Sequence, residues 1–479
     1  MLQNLRQKIY SMEKSFNTRN IVFSIVILLI TIVLWVLPTE SFGIDGLTVI
    51  QQRTMAIFVF AALMWLFEVI PAWATSVTTI VALLFAVSDK GFLVDVSGTT
   101  VNYKYIMAAF ADPVIMLFLG GFVMAIAASK VGLDAYLART LLHIFGSKPK
   151  YVLLGLLLVP GAFSMFMSNT ATAAMMLAFM APVLKNLPKD SAAPAALTLA
   201  IPIAANFGGL GTPIGTPPNA IALGALAKVG IDISFGSWVM HMVPFVILLL
   251  IIAWVVLMLF FPMKMDKLEI EIESDAKFDR NFWIVAITMP ITILLWVTEG
   301  WTHFDSNIVA LVPFAVFSIT GVFKEEDFSK IEWHILWMVA GGFALGTCLN
   351  QTGLANVLIN AIPFTKWHAV AVIIGAGFIM YLLSTFISNS SAASLLMPVL
   401  AVVSTAIKGE LTALGGAASL ILYVAICCSL AMTLPISTPP NAIAASTGMI
   451  KTSQMVKVGL ILGVIGGVLG YALLRVFPF

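Results

Sequence analysis

Two stretches of this chain set oxygen- and amide-bearing side chains inside apolar runs: MFMSNTATAA at 165–174 and FISNSSAAS at 386–394. Each holds a Ser-Asn pair followed by a hydroxyl. These are Ser168, Asn169 and Thr170 in the first and Ser388, Asn389 and Ser390 in the second, with Ser164 and Ser384 four residues earlier. Each is followed by a double proline, in GTPPNAIAL at 215–223 and STPPNAIAA at 437–445. Hydroxyls, amide oxygens and loose backbone carbonyls are hard ligands suited to a small cation such as Na⁺. A helix starting just past each Ser-Asn pair aims its free N–H groups and positive dipole end at the same place, which favours an anion. Catalysis finds no footing, because the sequence has no HExxH, no nucleophile elbow and no paired carboxylates within its apolar runs.

Such tips need a membrane around them. The 479 residues are 60% hydrophobic and 10% charged, with a mean hydropathy of +1.03, whereas a soluble domain carries about 25% charged residues. Most of the surface must face lipid or other helices. The net charge of +2 and the lack of a long basic run exclude a nucleic-acid partner. A crossing needs about 20 apolar residues. Eleven stretches are read as crossings: 20–37, 54–70, 74–88, 113–130, 191–228, 236–262, 281–298, 306–322, 334–350, 411–447 and 458–476. Two further runs, 151–184 and 367–400, have 34 residues each. One helix of that length would measure about 51 Å, and the Ser-Asn pair splits it into halves of about 22–24 Å, too short for a core of about 30 Å. Both read as re-entrant helical hairpins in an all-α membrane protein.

The basic residues test this layout. With the N-terminus cytoplasmic, eighteen of the 25 Lys and Arg lie inside and seven (53, 90, 104, 228, 366, 408 and 475) outside, as the positive-inside bias requires. The C-terminus then lies outside. Basic residues precede the 20–37 run and no small-residue cleavage site follows it, which predicts a retained first helix. Residues 2–16, LQNLRQKIYSMEKSF, are expected to form an amphipathic helix on the inner leaflet of the bilayer.

The chain also repeats itself. FLGGFVMAIAASKVGL at 118–133 resembles MVAGGFALGTCLNQTGL at 338–354, and the tips and TPPN segments follow in the same order, displaced by 220 to 222 residues. In the eleven-crossing layout the two copies run in opposite directions. Inverted repeats with interrupted helices are the architecture of secondary transporters, whose sites lie near the midplane where the copies meet. Each double proline removes two backbone donors and is expected to interrupt its helix. The freed carbonyls are tolerated at membrane depth only inside protein or around a watery cavity. No Lys, Arg or His lies in either tip or either TPPN segment. An uncompensated dianion in a low-dielectric site costs several kcal/mol, so either cations travel with it or the empty carrier is prevented from moving. Ala171, Ala173, Ala174, Ala392 and Ala393 read as small-residue packing between hairpin limbs.

The SNT and SNS tips with GTPPN and STPPN after them resemble the divalent anion/sodium symporter (DASS, INDY-type) family of di- and tricarboxylate carriers, through both repeats, over about residues 54–476. The resemblance implies a homodimer in the plasma membrane carrying C4/C5 dicarboxylates such as succinate, malate, fumarate or 2-oxoglutarate. It also implies an elevator-like slide of a transport domain (148–262 and 367–479) against scaffold helices (1–147 and 281–366), with 263–280 as a cytoplasmic loop. Carried over residue by residue, substrate contacts fall on Asn169, Thr170, Asn389, Ser390, Thr216, Thr438 and Pro439. One Na⁺ site falls on Ser164, Ser168, Asn169 and Gly215, the other on Ser384, Ser388, Asn389 and Ser437. No other cofactor is implied. Ser390 departs from the family's usual Thr, keeping the hydroxyl and deleting a methyl. Oxygen ligands leave Na⁺-coupled symport and dicarboxylate exchange both open, and citrate, an inorganic divalent anion such as sulfate, or an anion channel are the alternatives.

The remaining polar residues carry plainer expectations. Cys348, Cys427 and Cys428 read as buried free thiols, and the five histidines show no metal spacing. Glu68 and Asp112 lie near span ends and read as structural, Asp112 as a helix cap ahead of Pro113. His241 and His334 read as interfacial.

Overall fold

The computed structural model describes residues 18–92, 97–187, 191–268, 277–361 and 367–479, and among these the chain is helical apart from turns, connections and one isolated bridge between Ser88 and Val101. The expected anchor helix at 2–16, Lys189, Lys366 and residues 269–276 of the expected loop lie outside the described residues.

The first helix among the described residues is α1 (Thr18–Val36), which turns Ile21, Ile25, Leu29 and Ile32 outward, a stripe that suits hydrocarbon rather than water. Two helices follow, α2 (Val49–Phe67) and α3 (Ala72–Ala86). Asp112 then caps α4 (Pro113–Lys130) as expected: its Oδ1 accepts the Val114 N–H at 3.1 Å, and Pro113 takes the first position, where no N–H is missed. A short helix α5 (Leu133–His143) leads into α6 (Pro149–Ser164) and α7 (Asn169–Asn186), which meet at the first Ser-Asn tip. Next come α8 (Ala193–Gly209), α9 (Pro217–Ala227), α10 (Phe235–Phe260), α11 (Arg280–Val297) and α12 (Leu311–Thr320). The second half holds α13 (Trp333–Gln351), α14 (Leu354–Ala361), α15 (Ala369–Phe386) and α16 (Asn389–Ala406), the last two meeting at the second tip. It ends with α17 (Ala418–Leu430), α18 (Pro439–Ser446) and α19 (Thr452–Val476). Helices beginning at 113, 133, 149, 169 and 217 thus have counterparts beginning at 333, 354, 369, 389 and 439, a displacement of 220 to 222 residues throughout.

The count of crossings differs from the expected eleven. Among the described residues seven helices are long and apolar enough to span, or eight if Lys408–Leu414 and α17, bent by 66°, count as one. Shorter apolar helices fill several predicted crossings, among them α1 and α3. Both limbs of the second hairpin, α15 and α16, reach 18 residues, about 27 Å, because the Ser-Asn pair divides 367–400 unevenly, leaving the longer part ahead of it for α15, and α16 runs on past the apolar run to Ala406. Length alone therefore does not separate these limbs from spans.

The prolines also sit differently from expectation. Pro217 and Pro439 are the first residues of α9 and α18, where a missing N–H costs nothing, and the helical break is the irregular segment ahead of each, 210–216 and 431–438.

Packing is centred on α8 and α17, in which every residue is buried. The α8 helix packs on α6, α7 and α10, and α17 on α15, α16 and α19. Close approach of α6 and α8 depends on Gly208, where an added Cβ would lie 2.2 Å from the Gly161 carbonyl oxygen. The halves cross over: α7 packs against α18, and α16 against α9. Each Ser-Asn tip therefore lies beside the other copy's TPPN helix.

Candidate functional site

Helix α6 ends at Ser164 and α7 begins at Asn169, while α15 ends at Phe386 and α16 begins at Asn389. Ser168 and Ser388 are the cap residues, with nearly identical backbone angles (φ −55°, ψ 132° and φ −56°, ψ 131°). Neither cap spends its side chain on its own helix. Both hydroxyls and the N–H groups that follow each cap are left for a ligand, while the Ser388 N–H itself donates to Glu68 Oε1.

The breaks are tied to the tips by parallel hydrogen bonds. Thr212 Oγ1 donates to the Met165 carbonyl in the first copy, and Ser437 Oγ donates to the Thr385 carbonyl at 2.8 Å in the second. The TPPN asparagines bind the loosened backbone. Asn219 Nδ2 donates to the carbonyls of Gly209 and Thr212 (2.9 and 2.8 Å), and Asn441 Nδ2 to those of Met432 and Leu434 (2.7 and 3.0 Å). Part of the carbonyl set expected to be free is thus satisfied from within the break, as burial demands.

Tips and breaks converge on one cavity of about 780 Å³. Ser168, Asn169, Thr170, Gly215 and Thr216 line it from the first copy, and Ser388, Asn389, Ser390, Ser437, Thr438 and Pro439 from the second. Ser164 and Ser384 do not reach the wall. They lie fully buried beneath the tips, in contact with Asn169 and Asn389.

The two expected cation sets differ in their surroundings. The head of the Asn169 amide faces three oxygens: Ser164 Oγ at 2.6 Å and the carbonyls of Ala205 and Gly215 at 3.1 Å each. With Nδ2 turned inward the amide shares its two hydrogens among the three; with Oδ1 inward, four oxygens meet there, a set that fits a small hard cation. In the second copy Ser384 Oγ lies 3.1 Å from Asn389 Oδ1 and 3.1 Å from Cys428 Sγ, which itself donates to the Asn389 carbonyl at 3.2 Å. A thiol stands where the first copy presents a carbonyl.

Among the residues outside the predicted set that also line the cavity are two carboxylates, an amide and an imidazole: Glu68, Glu332, Asn206 and His334. Asn206 is the one amide in α8, whose only other polar side chain is Thr198, a signal visible in the sequence. From the sequence Glu68 reads as structural and His334 as interfacial, because nothing local places either beside the tips. No Lys or Arg lines the cavity among the described residues, and the described residues hold no His/Cys/Asp/Glu cluster able to bind a metal. An anion here would be met by helix N-termini, amides and hydroxyls.

A family model described as citrate transporter (CitMHS) matches residues 62–417. A sodium-dependent dicarboxylate transporter SdcS of Staphylococcus saprophyticus is 30% identical over 486 residues, covering 93% of this chain and 89% of its own length. An uncharacterized transporter of Haemophilus influenzae is 31% identical over 467 residues, covering 93% and 94%. Among solved structures, Neisseria gonorrhoeae MtrF, from a class of antimetabolite efflux pumps, superposes with a TM-score of 0.53 at 14% identity over 85% of this chain and 95% of its own. The Alcanivorax borkumensis YdaH transporter does so at 0.52 and 15%, over 89% and 98%. At those identities the likeness is one of fold alone. The family match, the relatives and the apolar helices agree: the chain is an integral membrane transporter and belongs to the CitMHS/DASS-type citrate and dicarboxylate transporter family.

Proposed function

We propose that this chain is a Na⁺-coupled carrier of C4/C5 dicarboxylates, of the succinate, malate, fumarate and 2-oxoglutarate class, working in the plasma membrane with its N-terminus cytoplasmic. The observation that carries this reading is the cavity in which both Ser-Asn tips and both TPPN breaks meet without a Lys or Arg. One carboxylate of a dianion is received by the Ser168–Thr170 tip and the other by the Ser388–Ser390 tip. Thr216 and Thr438, both buried at the cavity wall, add hydroxyls between them. The N-terminal ends of α7 and α16 supply positive potential from two directions. Na⁺ supplies the missing counter-charge when bound, and the residues that would hold it are Ser164, Ser168, Asn169 and Gly215 in one copy and Ser384, Ser388, Asn389 and Ser437 in the other. Relatives named for sodium-dependent dicarboxylate transport support this coupling.

The constant displacement of counterpart helices supports an inverted repeat. The crossed packing of α7 on α18 and of α16 on α9 supports one transport unit built from 148–262 and 367–479, sliding against scaffold helices in 1–147 and 281–366 of a homodimer. Uptake of labelled succinate into proteoliposomes, with and without an inward Na⁺ gradient, tests the reading. Saturable, Na⁺-driven uptake that is lost in Asn169→Ala and Asn389→Ala is expected. Normal uptake in both variants removes the site assignment, and indifference to Na⁺ removes the coupling.

A further inference from the structure

Glu68 is one of two non-glycine residues with positive φ among the described residues (φ 46°, ψ 43°), and it terminates α2. A side chain with a Cβ disfavours that region, so the conformation is held by the contacts around it, and the side chain's own contact is one of them. Its carboxylate reaches far along the chain: Glu68 Oε1 accepts the Ser388 N–H at 3.0 Å, a contact between residues 320 positions apart. Ser388 caps α16, and its N–H belongs to the donor group that a carboxylate at the second tip would use. Glu68 also lines the cavity shared by Asn169 and Asn389, yet it comes from the α2–α3 connection rather than from either hairpin.

Resting on the function proposed above, we propose that Glu68 is the carrier's own stand-in for a substrate carboxylate. Without substrate it ties the second tip to the α2–α3 connection through Ser388. A dicarboxylate arriving at the cavity replaces Glu68 on that N–H, so loading releases the tip. A guest that brings no carboxylate to this position leaves the tie intact. The empty transport unit is therefore slower to move than the loaded one, and Glu68 takes part in selecting which anions set it free.

The test compares wild type with Glu68→Gln, which removes the charge, and Glu68→Gly, which removes the carboxylate and adopts this backbone conformation without strain. Three readouts are taken in liposomes or detergent. A charge-assisted hydrogen bond is about twice as strong as a neutral one, so deuterium exchange at 387–390 in substrate-free protein should rise about tenfold in Glu68→Gln and further in Glu68→Gly, which has no acceptor left. The KM for succinate should fall about threefold or more as competition for Ser388 is removed. The ratio of uptake into succinate-preloaded vesicles to uptake into empty ones should fall towards unity. A lowered maximal rate with KM, preloading ratio and tip exchange all unchanged would overturn the proposal, since that is what a merely structural glutamate produces. Should wild type take up no dicarboxylate while tip exchange still responds to Glu68, the substrate assignment fails and the tie stands.

Discussion

The side-chain amide of Asn206 donates to Asn441 Oδ1 and to Thr438 Oγ1, each at 3.2 Å, from the last turn of α8 to the start of α18. The three residues are buried, and Thr438 Oγ1 also accepts the Asn441 N–H at 3.3 Å. A residue of the first copy thus fixes the orientation of a proposed substrate-contacting hydroxyl in the second. At the corresponding place in α17, residues 426–428 are Ile, Cys and Cys, so the second copy returns no amide. Asn219 Oδ1, the counterpart of Asn441 Oδ1, has no hydrogen-bond partner.

Removing Asn206 should accordingly damage the second break more than the first. Asn206→Ala leaves Asn441 Oδ1 and Thr438 Oγ1 short of a donor in a buried setting, a cost of about 1–2 kcal/mol. The expected result is a succinate KM raised about tenfold with a smaller change in the Na⁺ concentration for half-maximal uptake, since Asn206 is outside both proposed cation sets. Equal shifts in both constants would mean that Asn206 acts on the whole fold rather than on Thr438.

Helix proximity at the first hairpin gives a second prediction. Gly208→Ala places a methyl 2.2 Å from the Gly161 carbonyl oxygen, backbone that cannot rotate away, so α6 and α8 must separate and the Ser168 tip must shift with them. A loss of about 2 kcal/mol or more is expected, read as a lower melting temperature in detergent. Gly375→Ala is the control: an added Cβ in α15 meets nothing within 4 Å, and its melting temperature should hold or rise slightly.

These positions mark how far the sequence alone carries. Both hairpin tips were legible because a Ser-Asn pair in the middle of a 34-residue apolar run is expensive unless it breaks the helix there. Pairing of the copies was legible from the common displacement of tips and TPPN segments. Helices α5 and α14, of 11 and 8 residues, were not, since neither is long enough to register as a span. Nor was the number of crossings, because apolar length sets only an upper limit once helices break, bend or stop short. Glu68 was invisible for a different reason: its partner is 320 residues away, and an isolated carboxylate at a span end looks the same whether it faces water or a binding site.

A pH prediction comes from the turn between α12 and α13. Burial would raise the Asp327 carboxyl, but hydrogen bonds from Lys130, Lys330 and the Lys324 N–H outweigh it and hold the group down at about 2, against an ordinary 3.8. Lys130 ends α4, so the cluster ties the two halves together. With the folded value depressed, the unfolded chain takes up the proton first. The contribution, about 2 kcal/mol, is complete above pH 4 and drains as pH falls from about 4 to 2. Thermal melts of wild type and Asp327→Asn should therefore differ at pH 6 and converge near pH 2; a constant gap across that window contradicts the assignment.

The inequality of the two proposed cation sets yields the last prediction. Ser164 Oγ donates to the Ala205 carbonyl at 2.8 Å and touches the Asn169 head, so with the Asn169 Oδ1 turned inward to meet an ion the first set presents oxygens alone. In the second, Ser384 shares its surroundings with the Cys428 thiol, and a soft sulfur contributes little to a hard ion such as Na⁺. Ser437 is committed as well, donating to Thr385 and accepting the Leu434 N–H at 3.0 Å. Ser164→Ala should thus raise the Na⁺ concentration for half-maximal succinate uptake about tenfold or more, and Ser384→Ala by clearly less. Cys428→Ser replaces the soft atom by a hard one of similar shape and should lower that concentration. Equal sensitivity at Ser164 and Ser384, with Cys428→Ser silent, would mean that the thiol is only packing and that both copies bind the ion alike.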